Sequence, residues 1–216
     1  MGNERVKLFD DWAETYDESV VDYTGFPFEG YERVLAAIVR RAEAERRMVV
    51  LDLGIGTGSL AERFVALGCS VWGLDFSAKM LAKARARLPR VELIKADVLG
   101  EWPLDPDRRF DRVVSGYVLH EFDLRSKVRL LGRLVEGHLA DGGRIVVGDV
   151  SFPSRAARLG ERERWRKDWD PEEHYWAADE AVDALREVGL AAEYEQVSFC
   201  GGVYVVRPAG AARRPE

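Results

Sequence analysis

"VVLDLGIGTGSLAERF", residues 49–64, runs from an apolar stretch through an acid into three alternate glycines and out into an amphipathic pattern. That order predicts a strand, a tight loop and the start of a helix, the form of a nucleotide-binding crossover. Gly54, Gly56 and Gly58 make G-x-G-x-G, whereas the dinucleotide fingerprint places a further glycine or alanine where Ser59 stands. The acid decides more than the glycines do. Asp52 lies two residues before the first glycine, at the strand end that faces a ligand. A carboxylate there repels the pyrophosphate that a helix N-terminus otherwise attracts, and it suits a cation.

Working outward, short apolar runs alternate with amphipathic ones from Met48 onward. "MVVLDL", "SVWGLD", "VELIKA", "FDRVVSG" and "GRIVVGDV" read as strands, with helices near 59–67, 77–88 and 124–138. Such alternation predicts an α/β fold with a parallel sheet covered on both faces. A helix at 177–188 is followed by "AAEYEQVSF", Gly201-Gly202 and "VYVVRP", which read as a hairpin turning at the glycines. The expected count is seven strands, six parallel and one reversed. Upstream, residues 4–15 and 29–47 read as helices joined by a loop in which Gly25 and Pro27 are candidate hinges. The organisation expected is a helical lid or cap over 1–47, a ligand-binding domain over 48–207 and a frayed tail over 208–216.

The bulk properties exclude several classes. The chain has 216 residues, 47% of them hydrophobic, with a formal charge of −6 and no basic block, so neither a nucleic-acid partner nor a membrane is expected. Cys69 and Cys200 form no metal-ligand spacing, and no metal site is expected; a reduced, cytoplasmic protein, monomeric or homodimeric, is the natural reading. One Asn, one Gln and abundant charge fit heat adaptation, and equally the codon bias of a GC-rich genome.

Two more acids close strands: Asp75 ends "SVWGLD" and Asp97 follows "VELIKA". Their places at one sheet edge suit ribose hydroxyls and an adenine amine. S-adenosylmethionine carries a sulfonium, an ammonium and a carboxylate but no phosphate, so the three acids and the glycines favour it over a dinucleotide. "VLDLGIGTG", "GLDFS" and "IKADV" resemble the cofactor motifs of class I S-adenosylmethionine-dependent methyltransferases. "LFDDWAETYDESV" resembles a group of small methyltransferases of bacilli and their relatives. The resemblance spans nearly the whole chain. It implies a Rossmann-like, seven-stranded, mostly parallel sheet with helices on both faces and a C-terminal antiparallel hairpin strand. It also implies S-adenosyl-L-methionine as cofactor, contacts from Gly54, Asp75 and Asp97, and a small-molecule acceptor.

The acceptor side is less legible, because displacement at an activated carbon asks the protein mainly for alignment and water exclusion. Trp12 and Tyr16, four apart on the N-terminal segment, are expected at the lid, with Tyr16 on the cofactor. "SGYVLHEF", residues 115–122, offers Tyr117 and also His120, a candidate base that would be neutral at pH 7, with Glu121 facing away or capping the next helix. "DPEEHYWAADE", residues 170–180, offers His174 and Tyr175 for a pocket, or else simply starts a helix. "RLGERERWRKDW" reads as a solvated helical face with Trp165 and Trp169 turned inward. A non-catalytic S-adenosylmethionine-binding protein shares these features; a nicotinamide oxidoreductase is disfavoured by Asp52 and Ser59.

Overall fold

Apolar runs of five to seven residues are too short for buried helices, and in a strand they send alternate side chains to opposite faces. In the computed structural model, which describes residues 10–21 and 23–210, they do so. Val50, Val114 and Val146 enter one core, while Leu51, Val113, Ile145 and Val147 enter the other.

The helices are α1 (Tyr16–Val21), α2 (Tyr31–Ala42), α3 (Ser59–Ala66), α4 (Ala78–Arg87), α5 (Leu124–Gly137), α6 (Arg155–Arg164) and α7 (Ala178–Glu187). The strands are β1 (Val49–Leu53), β2 (Ser70–Asp75), β3 (Glu92–Lys95), β4 (Phe110–Gly116), β5 (Leu139–Phe152), β6 (Trp176–Ala177), β7 (Leu190–Gln196) and β8 (Gly201–Pro208). The main sheet has the order β3-β2-β1-β4-β5-β8-β7, and β6 adds two residues beside the end of β5. β8 runs antiparallel to both its neighbours, so six of the seven main strands are parallel and one is reversed, as the sequence pattern predicts. Helices α2, α3 and α4 cover one face; α5 and α7 cover the other.

Close packing of α2 fixes how tightly the first layer sits. Its Val34 and Ile38 lie over glycines on adjacent strands: Gly148 of β5, whose Cβ would come within 2.6 Å of Ile38, and Gly201 of β8, 2.8 Å from Val34. Residues 31–42, within the stretch expected as a cap over 1–47, are therefore packed into the core. The helix also ends earlier than its apolar pattern. Glu43 turns left-handed (φ 45°), and the Arg112 guanidinium donates to the carbonyls of Ala42 and Glu43.

Four boundaries differ from expectation. The helix expected over 4–15 lies partly outside the described residues; the chain is helical over 10–12, turns at 13–15 and restarts as α1. The hairpin turns at residues 197–200, not at the glycine pair, which begins β8; a Cβ on Gly202 would strike the Tyr194 ring at 2.5 Å. Residues 170–175 form a loop rather than a helix start, held because the His174 N–H donates to the His120 carbonyl at 2.6 Å. Pro208, assigned to the tail, pairs with Leu190, and Ala209 N–H donates to Gly189 O; residues 211–216 lie outside the described ones.

Two glycine substitutions test the packing. Gly148→Ala should destabilise the fold by about 1–3 kcal/mol through overpacking against α2. Gly132→Ala, on α5 with nothing within 4 Å of the new methyl, should stabilise it by up to about 1 kcal/mol. Urea unfolding measures both; equal effects would mean that α2 does not set the spacing.

Candidate active site

The loop after β1 is built on left-handed residues: Gly54 has φ 69° and Gly56 φ 53°. The Gly54 and Ile55 N–H groups both donate to the Leu74 carbonyl, at 2.7 and 3.0 Å, folding the loop back over β2. The two glycines have different reasons. A Cβ on Gly54 would strike the Val118 side chain at 2.4 Å, whereas one on Gly56 would meet only Gly54 O, at 4.0 Å. Packing demands the first; at the second the backbone is left open towards the crevice.

Asp52 lies under this loop, 1% exposed, with its Oδ2 lacking a hydrogen-bond partner among the described residues. Burial, then the neighbouring Asp75 charge, hold its pKa well above the usual carboxylate range, against a lowering backbone hydrogen bond from Ala61. Asp75, at the end of β2, also supports the loop. Its oxygens accept from Gly56 N–H (3.0 Å) and Ser77 N–H (2.8 Å), so it braces the glycine loop from behind while burial raises its pKa to about 6. A small cavity of about 30 Å³ remains, lined by Tyr16, Tyr31, Asp52, Gly54, Gly56 and Thr57 among others. The structure thus brings Tyr16, Asp52, Gly54 and Gly56 together. Gly58 instead caps α3 against Leu88, and Asp97 takes the Leu99 N–H at 2.9 Å; neither lines the cavity.

The N-terminal segment closes this crevice. Its acids dock on α4, Asp10 with the Ser77 hydroxyl at 2.5 Å and Glu14 with Lys83 at 2.8 Å. Trp12 stands edge-on to Tyr16 at 4.8 Å, and its indole N–H donates to Ser19. Tyr117, left-handed at φ 55°, is buried against Tyr31 and Phe28, its hydroxyl without a hydrogen-bond partner among the described residues. A non-glycine residue in that conformation stores strain, and it turns the chain sharply after β4.

Beyond Tyr117 the chain makes one 3₁₀ turn, Leu119–Glu121. His120 there is 6% exposed and bound to Asp149 of β5: its N–H donates to Oδ2 at 2.8 Å and its Nδ1 lies 2.6 Å from Oδ1. The Trp176 indole donates to the same carboxylate at 3.0 Å. Burial disfavours the imidazolium, but Asp149 outweighs it, Glu173 and Glu121 add to it, and the pKa rises to about 9. His120 therefore holds a proton at pH 7, contrary to the neutral base expected from the sequence. Glu121 neither faces away nor caps α5: its carboxylate lies 3.8 Å from His120 Nε2, and Asp123 provides the cap.

The larger cavity, about 330 Å³, lies on this side, lined by Lys127, Arg158, Arg162, Trp169, Glu173, His174, Tyr175 and Trp176 among others. Of the residues expected on the acceptor side, His174 and Tyr175 line this cavity, and Trp12 and Tyr117 do not. Lys127, Arg158 and Arg162 are additions. Lys127 reaches across from α5 to the His174 carbonyl and the Trp176 face, and burial lowers its pKa to about 7. The arginines lie in the stretch read as a solvated face, where a helical charge run hides which side meets a cavity. Asp149 is legible in principle, since it too is an acid near a strand end, after "GRIVVG".

A methyltransferase-domain family matches residues 50–143, from β1 into β5. An uncharacterized methyltransferase of Anoxybacillus flavithermus is 34% identical over 73% of this chain and 72% of its own length. Another from Geobacillus kaustophilus is 31% identical over 91% of this chain and 93% of its own. Among solved structures, the DhpI-SAM-HEP complex superposes with a TM-score of 0.72 at 22% identity, covering 94% of this chain and 96% of that one; at that identity the likeness is one of fold. With the glycine loop, the strand-end acids and relatives more than 30% identical over 73% and 91% of its length, the chain belongs to this family of bacterial methyltransferases.

Proposed function

We propose that the chain transfers the methyl group of S-adenosylmethionine to a small-molecule acceptor held in the cavity between α5, α6 and the 170–177 segment. The observation that carries this reading is Asp52: a buried carboxylate with one unpartnered oxygen, lining a glycine-walled crevice at the carboxyl edge of the sheet. A cationic ammonium satisfies that oxygen, and a phosphate does not. When bound, the cofactor supplies a methyl group already activated by its sulfonium.

The chain's own residues then bind, orient and exclude water. Tyr16, Asp52, Gly54 and Gly56 suit the amino-acid end, Asp75 the ribose and Asp97 the adenine amine. Trp12 and Tyr117 support the closing wall through their ring contacts with Tyr16, Phe28 and Tyr31. At about 330 Å³ the acceptor cavity stands at the lower end of small-molecule pockets, roughly 300–1,000 Å³. His174 and Tyr175 belong to its lining, and His120 to the charged cluster beside it. Alignment of this kind contributes on the order of 7–11 kcal/mol to a bimolecular step without any protein base.

Transfer of isotope-labelled methyl from S-adenosylmethionine into the small-molecule fraction of a cell extract tests the reading. Label in protein or nucleic acid alone would contradict it. The raised pKa values of Asp52 and Asp75 add a second test. Without ligand, both acids resist ionisation, so the fold loses stability as pH rises from about 4 through their native pKa values. A cation beside Asp52 lowers its pKa, so binding releases a proton and strengthens as pH rises. Calorimetry should show roughly tenfold or greater strengthening of S-adenosylmethionine binding between pH 5 and 7.5. Asp52→Asn should bind more weakly with a flatter profile. A wild-type affinity that does not change with pH would remove Asp52 from the ammonium.

A further inference from the structure

Beside the acceptor cavity, three side chains from two segments converge. His120 and Glu121 come from the 3₁₀ turn, and Glu173 from the loop before β6. His120 Nε2 lies 3.8 Å from Glu121 Oε1 and 3.8 Å from Glu173 Oε1, and the three ligand atoms lie within 4.8 Å of one another. We propose that His120, Glu121 and Glu173 form a binding site for a divalent transition-metal ion, open towards the acceptor cavity.

The imidazole is held as a metal ligand needs to be. Asp149, fully buried, holds Nδ1 at 2.6 Å and accepts from the His120 peptide N–H as well, so Nε2 is the nitrogen left to face the carboxylates. Among the described residues Nε2 makes no hydrogen bond, on a side chain only 7% exposed. A carboxylate behind the far ring nitrogen is the usual support of a metal-binding histidine, orienting the ring and raising its basicity.

Charge points the same way. The Glu121 and Glu173 side chains are 7% and 17% exposed, so with Asp149 three carboxylates crowd one imidazole in a largely dry setting. Lys127, also close to Asp149, directs its ammonium to the His174 carbonyl and the Trp176 ring. Carboxylates gathered in so dry a setting suit a bound cation. Ligand atoms cis to one another around a metal 2.0–2.2 Å away stand about 3 Å apart. Closing the two 3.8 Å gaps takes less than an ångström and closing the third, within 4.8 Å, takes less than about two, movements within the reach of glutamate rotamers.

One imidazole nitrogen and two carboxylate oxygens suit Mn²⁺ or Zn²⁺, whereas Ca²⁺ requires six to eight oxygens. Three protein ligands leave coordination positions open, the pattern of a site that presents its metal to a ligand rather than one that staples a fold. Glu173 lines the cavity as well as the cluster, so the open side adjoins the acceptor space. Sequence spacing hides this site, because Glu173 comes from a distant loop docked through the His174 N–H bond to His120.

The test uses the full chain, freed of metal by chelator and titrated with MnCl₂ and with ZnCl₂, followed by calorimetry and by loss of the free-Mn²⁺ spin-resonance signal. One ion per chain with a Kd of about 10 μM or tighter is expected. Glu173→Gln and Glu121→Gln keep the side-chain shape and should each weaken binding at least about tenfold, with unchanged circular dichroism. His120→Asn removes the nitrogen ligand, but the Glu variants carry the test because that change could disturb the fold around Asp149. No stoichiometric binding at about 1 mM of either metal would overturn the proposal. So would binding that persists unweakened in both folded Glu variants, since the ion would then sit elsewhere.

Discussion

One oxygen of Asp52 has no partner among the described residues, although the residue is 1% exposed and lies on the strand around which the parallel part of the sheet is built. Leaving such an atom unsatisfied costs roughly 1–3 kcal/mol, more if it is charged. Its surroundings do little to relieve it. The Asp75 carboxylate lies close enough to repel it, and Asp75 is itself committed to the N–H groups of Gly56 and Ser77. Much of the crevice answers to this constraint: an open Gly56, a loop braced from behind, and aromatic side chains closing from the N-terminal side. A cationic ligand relieves the Asp52 oxygen and leaves the bracing untouched.

The two sides of the site are built by opposite means. The glycine-loop side is backbone, with left-handed glycines and peptide N–H groups set by β1 and β2. The side of the larger cavity is a side-chain assembly around one buried carboxylate, Asp149, to which His120 and Trp176 bring the 3₁₀ turn and β6. That carboxylate joins segments far apart in sequence, so the wall of the larger cavity depends on a tertiary contact rather than on any local motif.

The same contrast explains what the sequence reveals. The strand positions and the reversed strand follow from period-two and period-3.6 patterns, and the glycine loop with Asp52 from residues lying within one short crossover. Asp75 is legible at the correct edge, but its hydrogen bonds to the loop are not visible without the fold. Turn positions mislead where glycine serves packing: Gly201 and Gly202 read as a turn, yet they make room for Val34 and Tyr194. Protonation at His120 is hidden as well, since an unperturbed histidine pKa ignores a carboxylate that arrives from β5. Arg158 and Arg162 escape notice because a charged helix shows the same pattern whether its face meets water or a cavity.

The central claim, that Asp52 reads the cationic amino-acid arm of the ligand, is tested most directly by a cycle of two ligands and two proteins. S-adenosylhomocysteine and 5′-methylthioadenosine share the adenosine but differ in that arm. Calorimetric affinities for both, on the wild type and on Asp52→Asn, isolate the coupling between arm and carboxylate. A coupling of about 1.5–3 kcal/mol is expected for a charge-assisted contact. A preference for the full arm that stays the same when Asp52 is changed would contradict the account.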